Sequence, residues 1–82
     1  MILKVGDQVN WRGSWGMEPI EVTTIDHMEV TCYPREKYGD DASEVSWGTV
    51  KENRVVVGLT NGHWAYSTQI APVGEDPNDW HG

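Results

Sequence analysis

A chain of 82 residues with thirteen acids against six bases and a net charge of −7 is too short to bury two separate cores and too poor in cations to neutralise a phosphate backbone, which excludes nucleic acid as a partner. Its one cysteine, Cys32, excludes an intramolecular disulfide and any cysteine-built zinc centre. No signal-peptide run opens "MILKVGD" and no apolar stretch reaches membrane-spanning length, so a cytoplasmic protein without a membrane partner is expected.

Without staples, bulky side chains have to build the core. Five tryptophans and three tyrosines, with no phenylalanine, are the available material, and each large aromatic buries about 150–250 Å². Apolar residues recur with a period of two, between dense turn signals. In "VGDQVNWR", Val9 and Trp11 point one way while Gln8, Asn10 and Arg12 point the other, a half-buried strand entered through a Gly6-Asp7 turn. "GSWGM" reads as a loop with Trp15 between Gly13 and Gly16, closed by Pro19.

In "IEVTTIDHMEVTCY", Ile20, Val22 and Thr24 share one face, and so do Met28, Val30 and Cys32. A tight turn at Asp26-His27 sends these two sets to opposite faces. A longer turn over 25–27, or one continuous bent strand, puts both on the buried face and is preferred, because register follows the buried face. His27 then stands near the left-handed region, and Cys32 is expected as a buried, inert thiol.

Residues 34–46, "PREKYGDDASEVS", show no period and carry Arg35, Glu36, Lys37, Asp40, Asp41 and Glu44, so a long loop is expected. "SWGTVKEN" fits one helical turn or a short strand; an irregular segment with Trp47 and Val50 tucked inward is the expectation. In "RVVVGLTNGHWAYSTQIAPV", a type I′ turn at Asn61-Gly62 pairs Leu59 with Trp64 and Val57 with Tyr66. That pairing collects Val55, Val57, Leu59, Trp64 and Tyr66 on the core face. One 3₁₀ turn in "STQ" leads to a last strand with Ile70 and Val73 inward. The expected domain is 1–73, followed by an acidic, flexible tail over 74–82.

The segments "KVGDQVNW" and "NGHWAYSTQIAPV" resemble the opening and the close of the SH3-like barrels (SH3, Tudor, KOW and their relatives). This implies an all-β fold, a small partly open barrel of about five short antiparallel strands, with one 3₁₀ turn near the C-terminus. More narrowly, "WGTVKENRVVVGLTNGHWAYSTQI" resembles uncharacterised small bacterial and phage proteins, which implies no activity. The KOW reading implies ribosomal or polymerase partners, but its basic working loops are missing. The SH3 groove is approached by Trp15 and Glu18, without the alternating acidic and aromatic order of that loop. A Tudor cage requires Trp11, Trp15, Trp47 and Tyr66 to converge.

Chemistry-bearing motifs are sparse. His27, His63 and His81 fall at no metal-ligating spacing, and no nucleophile or phosphate-binding motif occurs. Asp40, Asp41 and Glu44 lack the spacing of a calcium loop and read as a solvated charge run. No cofactor and no metal are expected. The resulting expectation is a non-enzymatic module that binds a protein or peptide of basic character. Trp15 and Trp47 supply its aromatic surface and Glu18, Asp40, Asp41 and Glu44 its acidic rim, while Trp11 and Trp64 belong to the core. The alternative is an acidic mimic of nucleic acid that inhibits a nucleic-acid-binding protein.

Overall fold

The computed structural model describes residues 1–82 apart from the side chain of Trp15. Strands are β1 (Ile2–Lys4), β2 (Gln8–Trp11), β3 (Glu21–Val30), β4 (Asp40–Asp41), β5 (Glu44–Ser46), β6 (Val55–Leu59), β7 (Trp64–Tyr66) and β8 (Ile70–Ala71). Short helices α1 (Trp47–Lys51) and α2 (Pro77–Trp80) and 3₁₀ turns over Ser14–Gly16 and Ser67–Gln69 complete the elements. Five strands in the order β7-β6-β3-β2-β8, all antiparallel, curl into a half-barrel, so the all-β expectation holds. β4 adds to β3, and β1 pairs with β5 as a separate ribbon, so part of the expected 34–46 loop is strand. Leu3, Val9, Ile25, Met28, Val57 and Ile70 fill the concave side.

β3 is one continuous bent strand, the second of the two preferred readings. Ile25 pairs with Leu59 and His27 with Gly58, which leaves Asp26 as an extra residue in a bulge. A bulge reverses the alternation. Thr23 and Ile25 therefore point inward before it, at 6% and 1% exposure, and Met28 after it. The parity assigned to the first half was the wrong one: Ile20 and Val22 are exposed. His27 is not left-handed; among the described residues, positive φ outside glycine occurs at Ser14, Arg35 and Asn53. Cys32 is exposed because β3 ends at Val30. Thr31 turns inward in its place, its N–H donating to the Arg54 carbonyl and its Oγ1 to that of Tyr33.

The β6–β7 hairpin differs from the type I′ expectation by one residue. Gly62 N–H donates to the Leu59 carbonyl at 3.1 Å, and Leu59 N–H to the His63 carbonyl at 2.8 Å, so Thr60, Asn61 and Gly62 form the loop. Only Gly62 of these has positive φ, 89°, the pattern of a turn closed by a glycine bulge. The Asn61 side chain holds the loop instead of its backbone, accepting from His63 N–H at 3.0 Å and donating to Glu21 at 2.9 Å. Gly58 now faces Trp64, Val57 faces Ala65 and Val56 faces Tyr66. A slip of one residue exchanges the two faces of a strand. Ala65 goes to the core at 0% exposure and Trp64 goes outside at 51%.

Ser46 caps α1, its Oγ accepting from Thr49 N–H at 3.1 Å, so "SWGTVK" is a helical turn rather than irregular chain. Trp47 and Val50 point inward as expected, at 7% and 0% exposure. Residues 74–82 pack against the barrel. Asp76 caps α2 with Pro77 in its first turn, and Trp80 meets the Trp47 ring edge-on at 5.1 Å between centroids. Arg12 Nη1 lies 2.9 Å from Asp76 Oδ2, Asn10 Nδ2 donates to the Glu75 carbonyl at 2.8 Å, and His81 Nε2 donates to that of Ile70 at 2.8 Å. Ile70 is buried as expected, whereas Val73 is exposed.

Candidate functional site

Because β7 turns Trp64 outward, its indole becomes a wall shared by two surface grooves. The first, about 650 Å³, runs between the 13–20 loop and the hairpin and is lined by Trp11, Pro19, Ile20, His63 and Trp64, with Glu18 and Glu21 also at its surface. The His63 ring stacks on Trp11 at 4.9 Å between centroids and 29° between planes. Gly13 permits this arrangement, since a Cβ there would come within 2.9 Å of the Trp11 ring. Trp11 Nε1 is buried without a hydrogen-bond partner among the described residues, a cost of about 1–3 kcal/mol that packing of the ring has to offset. Arg12 ties the loop down through Asp76 and through the Gly16 carbonyl, 2.8 Å from its Nη2.

The second groove, about 330 Å³, lies on the outer face of β3, β6 and β7 and includes His27, Glu29, Lys37, Tyr38, Gly58 and Trp64. Its rows follow from register: His27, Gly58 and Trp64 stand in one line, and Asp41, Glu29, Val56 and Tyr66 in the next. Gly58, without a side chain, leaves the trough open between His27 and Trp64. The Lys37 ammonium lies 5.4 Å from the Trp64 ring centroid and 5.8 Å from that of Tyr38, within range of a cation–π attraction. His27 Nε2 is 3.1 Å from Glu29 Oε2 and 3.4 Å from Asp41 Oδ1.

Glu29 is held from its other side as well: Oε1 accepts from Gly39 N–H at 3.0 Å. Position 39 has to be glycine, because a Cβ there would overlap the Val30 carbonyl. The Gly39 N–H first, and the His27 ring second, hold the Glu29 carboxyl below the usual carboxylate range, since both favour its ionised form.

The anchors and acids named from sequence are distributed over several places. The Trp15 side chain lies outside the described residues. Trp47 is in the core and is no surface anchor, because α1 turns it inward and Trp80 covers it. Glu18 lines the first groove. Asp41 meets His27, whereas Asp40 faces Val30 across β3–β4 and Glu44 faces Lys4 across β1–β5. The tryptophans that line grooves, Trp64 and Trp11, are the two expected in the core. Trp11 is only half-buried, and the error on Trp64 traces to the loop length. The pairing of His27 with Glu29 was missed because His27 was expected in a turn; on a continuous strand, positions two apart share a face.

Compared with known proteins, the chain matches no family model, no curated protein and no solved structure. No helix among the described residues is long and apolar enough to cross a membrane.

Proposed function

We propose that the protein is a non-enzymatic interaction module whose first groove binds an extended, basic segment of a partner protein. The observation that carries this reading is Trp64: a tryptophan half exposed on the β6–β7 hairpin, lining the same groove as the stacked Trp11 and His63 rings. Exposed aromatics beside a groove are the usual anchors of an interface. A groove lined by aromatic side chains together with Pro19 and Ile20 suits an extended peptide, whose side chains alternate between contact and solvent. Glu18 and Glu21, within an overall charge of −7, favour lysine or arginine in that peptide. The layout also resembles the SH3-like barrels, in that a loop after an early strand and a 3₁₀ turn, here represented by Gln69, flank the groove.

Pairing of some acids with basic side chains favours this reading over a nucleic-acid mimic, whose acids would stand free. Asp41 is engaged by His27, Asp76 by Arg12, and Glu44 stands opposite Lys4.

An NMR titration with a short peptide alternating arginine and proline tests the reading, with the charge-reversed glutamate peptide as control. Shifts should cluster at the Trp64 indole N–H and the amides of residues 18–21. Trp64→Ala should weaken binding about tenfold or more, equivalent to about 1.4 kcal/mol. Equal shifts with the acidic peptide, or none near Trp64, would remove the proposal.

A further inference from the structure

The second groove carries a cluster that the peptide reading does not use. Glu29 and Asp41 stand directly opposite each other in the β3–β4 register, and like charges at that position destabilise a strand pair. His27, two residues before Glu29 on the same face, places Nε2 at 3.1 Å from one carboxylate and 3.4 Å from the other. One ring nitrogen cannot bond both carboxylates well, and their repulsion calls for a positive charge between them. A cation among the three groups meets both needs.

We propose that His27 Nε2, Glu29 Oε2 and Asp41 Oδ1 form a binding site for a divalent transition-metal ion of the zinc class. Ligands about 2.1 Å from a tetrahedral ion stand roughly 3.4 Å apart, close to the spacings His27 makes with its two neighbours. One donor atom from each of the three residues lies within 4.8 Å of the others, and Asp41, with its side chain 83% exposed, is free to turn and close the set. One imidazole with two carboxylates selects zinc and its first-row neighbours over calcium and magnesium, which take oxygen ligands. Gly39 N–H, bonded to the other Glu29 oxygen, orients the ligand as outer-shell donors do in metal sites. Three protein ligands leave a coordination position for water or a partner's side chain, and His27 and Glu29 line the groove beside Trp64. Bound there, the ion ties β4 to β3 and so fixes the 31–39 loop. Linear spacing conceals the site, because Asp41 reaches the pair only through strand pairing.

The test is calorimetric titration of tag-free, metal-stripped protein with zinc chloride in a buffer that does not chelate. One ion per chain should bind, and His27→Ala and Asp41→Asn should each weaken binding about tenfold or more. Asp26→Asn removes the same charge next to His27 without removing a ligand, and should leave the affinity unchanged. Circular dichroism identical to the parent shows that the variants remain folded; all three positions are exposed. No saturable binding by the parent overturns the site, and so does an equal loss in Asp26→Asn, which indicates diffuse charge attraction. Displacement of zinc by an equal concentration of calcium overturns the assigned metal class. Because no peptide is present, failure here leaves the groove reading untouched, and failure of the peptide titration leaves the metal site untouched.

Discussion

Trp47 and Trp64 each begin a short element, yet one is 7% exposed and the other 51%. The corner that holds Trp47 is defined locally on one side: Ser46 caps α1, and the helical turn directs Trp47 and Val50 to the same side. It is completed from a distance by Trp80, which α2 brings edge-on against the Trp47 ring. Trp64 has no such local determinant. Its side of the sheet is set by the number of residues in the preceding loop, and the small Ala65 takes the inward place beside Val57. Aromatic exposure here follows from strand register rather than from hydrophobicity.

Substitutions should widen or abolish that contrast. Trp47→Ala should have the largest effect, destabilising by about 3–5 kcal/mol through the cavity it leaves, measured as a lowered midpoint of urea unfolding. A loss below about 1 kcal/mol would place the indole outside the core. Trp80→Ala should cost about 1–3 kcal/mol, since its ring is half-buried against Trp47 and the Lys51 ammonium lies 4.5 Å from its centroid. If thermal melts do not separate Trp80→Ala from the parent, residues 74–82 are a tail after all.

Gly62→Val should cost about 1–2 kcal/mol, because φ is 89° there while a Cβ would meet nothing within 4 Å. The penalty is then conformational alone. Asn61→Gly separates the two possible loops: a type I′ turn would tolerate or welcome it, whereas the observed loop should lose the Asn61 hydrogen bonds to His63 and Glu21, about 0.5–1.5 kcal/mol. Trp64→Ala should have the smallest effect on stability, within about 1 kcal/mol, while removing the wall of both grooves. A loss as large as that of Trp47→Ala would return Trp64 to the core and the hairpin to the two-residue turn.

Much of the architecture was legible without coordinates. The apolar runs in "QVNW" and "VVVGL", the glycine-marked loop between Leu59 and His63, and the 3₁₀ turn before Ile70 are signals contained within a few neighbouring residues. They therefore survive in the linear chain, as does the inward placement of Trp47 and Val50. The candidate sites were less legible for an equally physical reason. An extra residue at Asp26 and another in the 60–62 loop each reverse the inward–outward alternation of everything beyond them, and neither can be recognised until the partner strand is in place. The docking of Trp80 on Trp47, and the meeting of His27 and Glu29 with Asp41 across β3 and β4, join segments distant in sequence. Amino-acid order alone determined that this chain would form a small antiparallel barrel with an acidic exterior. Which aromatics reach solvent, and which acids face one another, followed from strand register and long-range packing, because strand pairing brings together residues whose separation along the chain carries no such information.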